Sequence, residues 1–353
     1  MSSTYSPAYL YLYSIWRYWF GGQRIDLPET RIDLTDRVVI VTGSNGGLGK
    51  DVAKKIAALG AEKVIMAVRN VSKGEEARED LLKSNVLLGP ATLEVWQLDL
   101  SDFSSVKAFA QRANAELSRL DVLCLNAGVI KGSFTQTKDG WEEGVQVNAL
   151  STFYLSLLLL PLLQTTAKEH YSTPPPAGSL AKPHITIVSS GQHRIAPLVE
   201  RKEPEIFKAM NTPESFLNPG DRYHDTKLLE VLFVQELVAW SEKTAPGAVI
   251  INSSSPGFCH SSLSQGMEDP ARRRRMAVMK FFFARPGEIG ARALTWAAVE
   301  SSTTGGFSAD CEDGLPSEWS RSDDGVATAG RVWKETLDIL GAFDGGIRTT
   351  FAT

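Results

Sequence analysis

From Arg37 onward, short apolar runs alternate with longer stretches whose apolar residues recur every three to four positions. The runs Val38–Thr42, Lys63–Val68, Leu93–Leu98, Asp121–Asn126, His184–Ser190 and Ala248–Asn252 are rich in β-branched residues and predict strands. The helical periodicity predicts helices near residues 47–59, 73–86, 103–118, 139–168, 222–243, 287–299 and 325–340. Strands that alternate with helices in this way build βαβ units, so the expected fold is α/β, a doubly wound parallel sheet covered on both faces. Two predicted helices are apolar nearly all round, over Phe153–Leu163 and Lys227–Trp240, and must be buried. A subunit interface, and hence a homo-oligomer, would read the same as a covered face within one chain.

Three stretches interrupt the pattern and read as insertions. Residues 172–183 carry Pro174, Pro175, Pro176 and Gly178; residues 195–221 are charged and hold four prolines; residues 259–285 contain Arg272–Arg275 followed by Met276, Met279 and Phe281–Phe283. The arginine run reads first as a solvated helix face, with a lipid-facing patch or an import signal as rivals. Together with Trp141 and Phe216, the methionines and phenylalanines are candidates to line an apolar pocket. No linker separates two cores, so residues 36–345 are expected to form one domain behind an arm of residues 1–35.

The arm is unusual, with eight aromatic residues between Tyr5 and Phe20. As a helix, residues 8–20 would reach about 20 Å, short of the roughly 30 Å of a bilayer core, and Arg17 interrupts them. The arm therefore docks on protein or lies at a membrane surface, where Tyr, Trp and Arg are at home. The 353 residues carry a net charge of −4, which gives no broad attraction to nucleic acid. Three widely spaced cysteines and five histidines without paired spacing predict no disulfide framework and no metal, and point to a reducing, cytoplasmic setting.

The run from Val38 to Gly49 places a glycine-rich turn directly after a strand and before a helix. Gly43, Asn45, Gly47, Leu48 and Gly49 are the candidate pyrophosphate cradle, because only glycine allows so close a backbone approach to a helix N-terminus with free N–H donors. The position that holds an acidic residue in NAD-binding folds of the Rossmann type is occupied here by Arg69, at the end of the second predicted strand. A guanidinium there favours the 2′-phosphate of NADP(H), with Lys50 and Lys73 as further sources of positive charge.

Tyr223 and Lys227 stand four residues apart on one predicted helix face, and the predicted strand ending at Ser189-Ser190 supplies a hydroxyl. Combined with the glycine turn, with Asn126-Ala127-Gly128 and with Asn148, this set resembles the short-chain dehydrogenase/reductase family over residues 36–310. Val68-Arg69-Asn70 and residues 189–193 look like its retinol-dehydrogenase-like branch, and residues 306–317 like the fungal ketoreductases of that branch, many of them in secondary metabolism. The resemblance implies a Rossmann-type fold and Tyr223 as general acid or base. It implies Lys227 as the group that lowers the phenol pKa and holds the nicotinamide ribose. Ser190 would bind the substrate oxygen, and Asn148 would hold a water linking Lys227 to solvent. Asp99 would face the adenine, Asn126, Ala127 and Gly128 would floor the cofactor, and Pro256, Gly257 and Ser261 would flank the nicotinamide. The implied activity is NADPH-dependent reduction of a ketone or aldehyde of a lipophilic small molecule, or oxidation of the alcohol. An isomerase or cyclase on the same fold, and a cofactor-responsive binding protein, are the alternatives. His193 and His260 read as ordinary loop histidines.

Overall fold

A computed structural model describes residues 26–84, 93–173, 176–260 and 270–351. The aromatic run of residues 5–20 and Ser261 lie outside the described residues. Seven strands form one parallel sheet: β1 (Val38–Thr42), β2 (Lys63–Val68), β3 (Leu93–Gln97), β4 (Val122–Leu125), β5 (His184–Val188), β6 (Ile250–Ser255) and β7 (Phe307–Ala309). Their order is β3-β2-β1-β4-β5-β6-β7, so the sheet reverses its direction of growth between β1 and β4. In such a sheet, ligands bind at the carboxyl ends of the strands beside that reversal.

Side chains on one strand face opposite ways, and both sets are apolar. Val39 and Val41 join one core with Val52 and Ile56 of α1 (Gly47–Ala58), Ala77 and Leu81 of α2 (Val71–Ser84), and Leu294 of the later helix over Gly287–Val299. Val38 and Ile40 join the other with α3 (Phe103–Glu116) and α4 (Ser151–His170). This two-sided burial is why the strand sequences show almost no polar alternation.

α4 is entered through a short turn, Glu143–Val145, and one wide π turn, Gln146–Leu150. The carboxylate of Glu142 starts it by accepting the N–H groups of Gly144 and Val145, both at 2.8 Å. That cap places the start a few residues later than the apolar periodicity suggests. Residues 143–170 form the one described helix long and apolar enough to cross a membrane, but 83% of its apolar window is buried in the protein. Phe153 stacks on Phe233 at 4.0 Å between ring centres, which joins α4 to α6 (Pro219–Thr244); the five-residue helix α5 (Ile206–Met210) precedes α6.

After β6 come α7 (Pro270–Phe283), α8 (Gly287–Val299), β7, α9 (Asp323–Phe343) and α10 (Gly345–Phe351). The last two answer the question left open by the apolar helices. Trp333 of α9 lies 5.6 Å from Phe233, Phe351 of α10 lies 4.4 Å from Trp240, and Tyr154 donates to Asp344 at 2.7 Å. The exposed-looking faces of α4 and α6 are thus covered from within the chain. Residues 26–35 also lie on the body: Leu27 and Leu34 are buried, and the Asp33 N–H donates to the Gly178 carbonyl at 2.8 Å.

Candidate active site

Because all seven strands run parallel, the residues that follow β1, β2, β3, β4, β5 and β6 gather at one edge of the sheet. They border a cavity of 360 Å³ together with Tyr223 and Lys227. The cavity takes in Gly43, Asn45, Gly46, Gly47, Leu48 and Gly49 after β1, Arg69 after β2 and Asp99 after β3. Asn126, Ala127 and Gly128 follow β4, and Pro256 follows β6.

The glycine turn is shaped by contacts that no other residue would permit. Gly43 has φ +68°, and a Cβ there would meet Ala127 Cα at 3.0 Å. A Cβ on Gly49 would lie 2.5 Å from both Asn126 Nδ2 and the Gly43 carbonyl oxygen. Asn126 Nδ2 donates to the Thr42 carbonyl at 2.9 Å, and Thr42 Oγ1 accepts the Ala127 N–H at 2.9 Å, which ties the ends of β1 and β4 together. Gly46 differs: nothing lies within 4 Å of its missing side chain, and no side chain caps the helix that it starts. An open approach to an uncapped helix N-terminus suits a pyrophosphate, so the residues present fit a dinucleotide.

Arg69 is exposed at the end of β2 and makes no hydrogen bond or ion pair among the described residues. Lys50 is instead paired with Asp80. Lys73 does not border the cavity; it is exposed on the first turn of α2, where its N–H is capped by Asn70 Oδ1 at 3.0 Å. The expected cluster of positive charge therefore narrows to Arg69. Asp99 accepts the N–H and hydroxyl of Ser101 at 2.9 and 2.6 Å. Gly257, with φ +75°, donates to Ser255 Oγ at 3.2 Å outside the cavity lining.

At the other end, α6 presents Tyr223 and Lys227 one turn apart. Lys227 Nζ donates to the Val188 carbonyl at 2.9 Å and to Glu230 Oε1 at 2.7 Å. The Ser190 hydroxyl accepts the Gln192 N–H at 3.2 Å and lies near enough to the Tyr223 phenol to pull its pKa down. Ser189 borders the cavity but spends its hydroxyl hydrogen on the Lys227 carbonyl at 2.8 Å, whereas Ser190 lies outside the lining. Asn148 sits in the π turn. Its Oδ1 accepts the Val129 N–H at 2.8 Å, and Nδ2 donates to the Val129 carbonyl at 2.9 Å and Thr226 Oγ1 at 3.1 Å. The amide hydrogens are thus committed to the scaffold, and one Oδ1 lone pair is left for water. A Cβ on Gly128 would lie 3.3 Å from that Oδ1 and 3.6 Å from Lys227 Nζ, so the bare glycine keeps the space between them open.

The electrostatics at the phenol are dominated by burial. The Tyr223 pKa is pushed up, first by burial and then by the Glu230 charge, and the Ser190 hydrogen bond only partly offsets this. Lys227 lies 5.6 Å from the phenol ring centre, but Glu230 compensates its charge. Glu230 itself is raised to about 7 by burial against the pull of Lys227. It was not singled out from the sequence, although an acid three residues after Lys227, inside the apolar run 228–234, is a visible anomaly.

His193 is buried and neutral, its pKa lowered to about 3 chiefly by burial. Its Nε2 accepts the Ser317 N–H at 3.0 Å, so Nδ1 carries the proton and donates to the Ser190 carbonyl at 2.6 Å. His260 is exposed. The charged insertion is bound to the start of α6. Arg222 pairs with Glu200 at 3.2 Å, and Asp225 accepts the Leu198 N–H at 2.6 Å, with its pKa raised to about 7 mainly by burial. The candidate apolar lining is placed elsewhere: Phe216 packs on Phe134, Phe281 and Phe282 are exposed, and neither they nor Trp141 border the cavity.

The strand reversal and the glycine cradle define a Rossmann-type dinucleotide-binding fold, with Tyr223 and Lys227 at the same cavity. Sequence comparison agrees, since the short chain dehydrogenase profile matches residues 37–170. The chain is 34% identical to the short chain dehydrogenase/reductase dmxR8 of Cryptosporiopsis sp., over 92% of this chain and 97% of that one. It is 38% identical to the short chain dehydrogenase sol3 of Alternaria solani, over 78% and 88%. Among solved structures, a protein from Mycobacterium Paratuberculosis superposes with a TM-score of 0.62 at 26% identity, covering 89% of this chain and 95% of that one. The RhlG/NADP active-site complex of Pseudomonas aeruginosa shares the fold, with a TM-score of 0.55 at 20% identity over 79% and 96%. This chain belongs to the short-chain dehydrogenase/reductase family, oxidoreductases that use a nicotinamide cofactor.

Proposed function

We propose that the protein reduces a ketone or aldehyde of a lipophilic small molecule, of polyketide or terpenoid type, with NADPH. The carrying observation is that Tyr223 and Lys227, one turn apart on α6, border the same cavity as the glycine turn and the unpaired Arg69. Bound in the cavity, NADPH supplies the hydride. The turn of residues 43–49 would hold its pyrophosphate, Asp99 its adenine side, and Arg69 the 2′-phosphate through a charge-assisted contact.

The chain's own residues manage the proton. Ser190 positions the carbonyl oxygen and stabilises the negative charge that develops there. Tyr223, held in its protonated form by burial, donates to that oxygen. Lys227 keeps one N–H beyond those given to Val188 and Glu230, and Gly128 leaves room for it to reach a ribose hydroxyl or a water. Fluorescence titration with NADPH and NADH tests the cofactor. We expect NADPH to bind at least tenfold tighter, a difference of about 1.4 kcal/mol, and Arg69→Ser to erase the preference while NADH binding stays unchanged. Equal binding of both by the wild type would overturn the role of Arg69, and binding of neither would overturn the redox reading.

A further inference from the structure

Glu230 is the one group at this site for which the proposed proton transfer has no use. It is 1% exposed, and its Oε1 lies 2.7 Å from Lys227 Nζ. Its Oε2 has no hydrogen-bond partner among the described residues, and Lys227 is the cation with which the carboxylate pairs. A buried carboxylate on that ammonium cancels most of its field, because charges in so dry a setting are weakly screened.

We propose that Glu230 is a positioning residue that holds Lys227 in place and, by compensating its charge, keeps the Tyr223 phenol protonated, which biases the site toward giving a proton to a carbonyl. The bias toward reduction rests on the proposed function; the effect on the phenol does not. The surroundings contain little else that could set the balance. From its own helix Glu230 pairs with Lys227, whose Nζ lies 5.6 Å from the Tyr223 ring centre. β5 and the loop after it bring the Val188 carbonyl and the Ser189 hydroxyl, and His193 in that loop is neutral. The raised pKa values of Glu230 and Tyr223 point the same way: each resists negative charge in this pocket.

Glu230→Gln keeps an oxygen for Lys227 and removes the charge. Tyrosinate absorbance at 295 nm, read within milliseconds of a pH jump and corrected by the matching Tyr223→Phe protein, isolates this one phenol without cofactor or substrate. The wild type and Glu230→Asp are expected to show no Tyr223-dependent step up to about pH 11, whereas Glu230→Gln shows one below that pH, as Lys227 acts on the phenol uncompensated. If Glu230→Gln does not fold, Glu230→Met, of similar length and uncharged, takes its place with the same expected step. Wild-type behaviour in the neutral variant, or a wild-type step at or below that of the variant, overturns the proposal. With NADPH and 9,10-phenanthrenequinone as a surrogate diketone, the alkaline fall of kcat/KM moves to lower pH in Glu230→Gln. A displaced phenol step without turnover of any carbonyl would sink the proposed function and leave the Glu230 assignment standing.

Discussion

Gly46 and Gly49 are three residues apart in one turn, yet replacing each with alanine should fail in a different way. At Gly49 the new methyl would sit 2.5 Å from Asn126 Nδ2 and from the Gly43 carbonyl oxygen, and 2.9 Å from the Gly43 carbonyl carbon. Neither neighbour is a loose side-chain tip, since Asn126 is bonded to Thr42 and Gly43 is backbone at φ +68°. Overpacking of this kind costs about 1–3 kcal/mol, here at the upper end, and the better helix propensity of alanine returns about 1 kcal/mol. The net loss of about 2 kcal/mol corresponds to a fall in Tm of about 4 °C for a chain of this size. Gly46, with extended backbone and nothing within 4 Å, should accept a methyl with less than about 1 kcal/mol lost from the helix start. That methyl, however, stands where a phosphate must approach. Gly46→Ala is therefore expected to melt within about 2 °C of the wild type without cofactor, bind NADPH at least tenfold more weakly, about 1.4 kcal/mol, and lose most of the cofactor-induced rise in Tm. Thermal melts with and without NADPH, joined to fluorescence titrations, read both quantities. Wild-type NADPH affinity in Gly46→Ala together with an unchanged melt in Gly49→Ala would refute the cradle as described.

Further outcomes follow from the same geometry. Tyr223→Phe should lower kcat about 100- to 10,000-fold, the usual worth of general acid–base catalysis, while NADPH titrations stay near wild type; retained turnover would remove Tyr223 from the mechanism. Asp225 has a folded pKa of about 7, above its unfolded value, so the fold binds the extra proton and wild-type stability falls as pH rises toward 7. Asp225→Asn keeps an oxygen for the Leu198 N–H and should melt higher than the wild type at pH 8, with the gap closing as pH falls to about 4. His193 has the opposite sign. Its folded pKa of about 3 lies below the unfolded value, so the stability it carries is complete above about pH 6.5 and is lost on acidification at up to about 1.4 kcal/mol per pH unit. Denaturant melts from pH 4.5 to 7.5 should show a shallower acid slope in His193→Gln; an equal slope would mean that His193 is not buried neutral.

Much of the site was legible because it sits where strands end. Val38–Thr42, Lys63–Val68 and their neighbours are buried on both faces, so each announces itself as a continuous apolar run, and the residue just beyond each run falls at the cavity edge. Elements held by other means were invisible to that pattern. β7 is three residues long and exists because Ser253 and Ser255 pair with Phe307 and Ala309. Three residues after β6 begins, the chain still reads as polar, Ser253-Ser254-Ser255, yet those side chains are buried in the sheet, which is why the strand extends beyond Asn252. Lys73 stands on the first turn of α2, where Asn70 caps its N–H, and this local cap is not visible in the apolar pattern. His193 acts through Ser317, 124 residues away, and Glu230, though only three residues from Lys227, sits in an apolar run that hides it; neither residue type alone signals what it touches.

The His193 bridge has a bearing on how the protein comes into being. Ser317, which fixes the imidazole and through it the carbonyl of Ser190, is 124 residues further along the chain and leads into the helices that cover α4 and α6. During synthesis from the N-terminus, the cradle can close and α6 can present Tyr223 well before Ser317 leaves the ribosome. The serine end of the site would still lack its anchor, and the Phe233 flank would still be bare. The segment that anchors the Ser190 end of the site is thus the same one that covers the apolar flank of α6, so both are completed together as the C-terminal part of the chain is added.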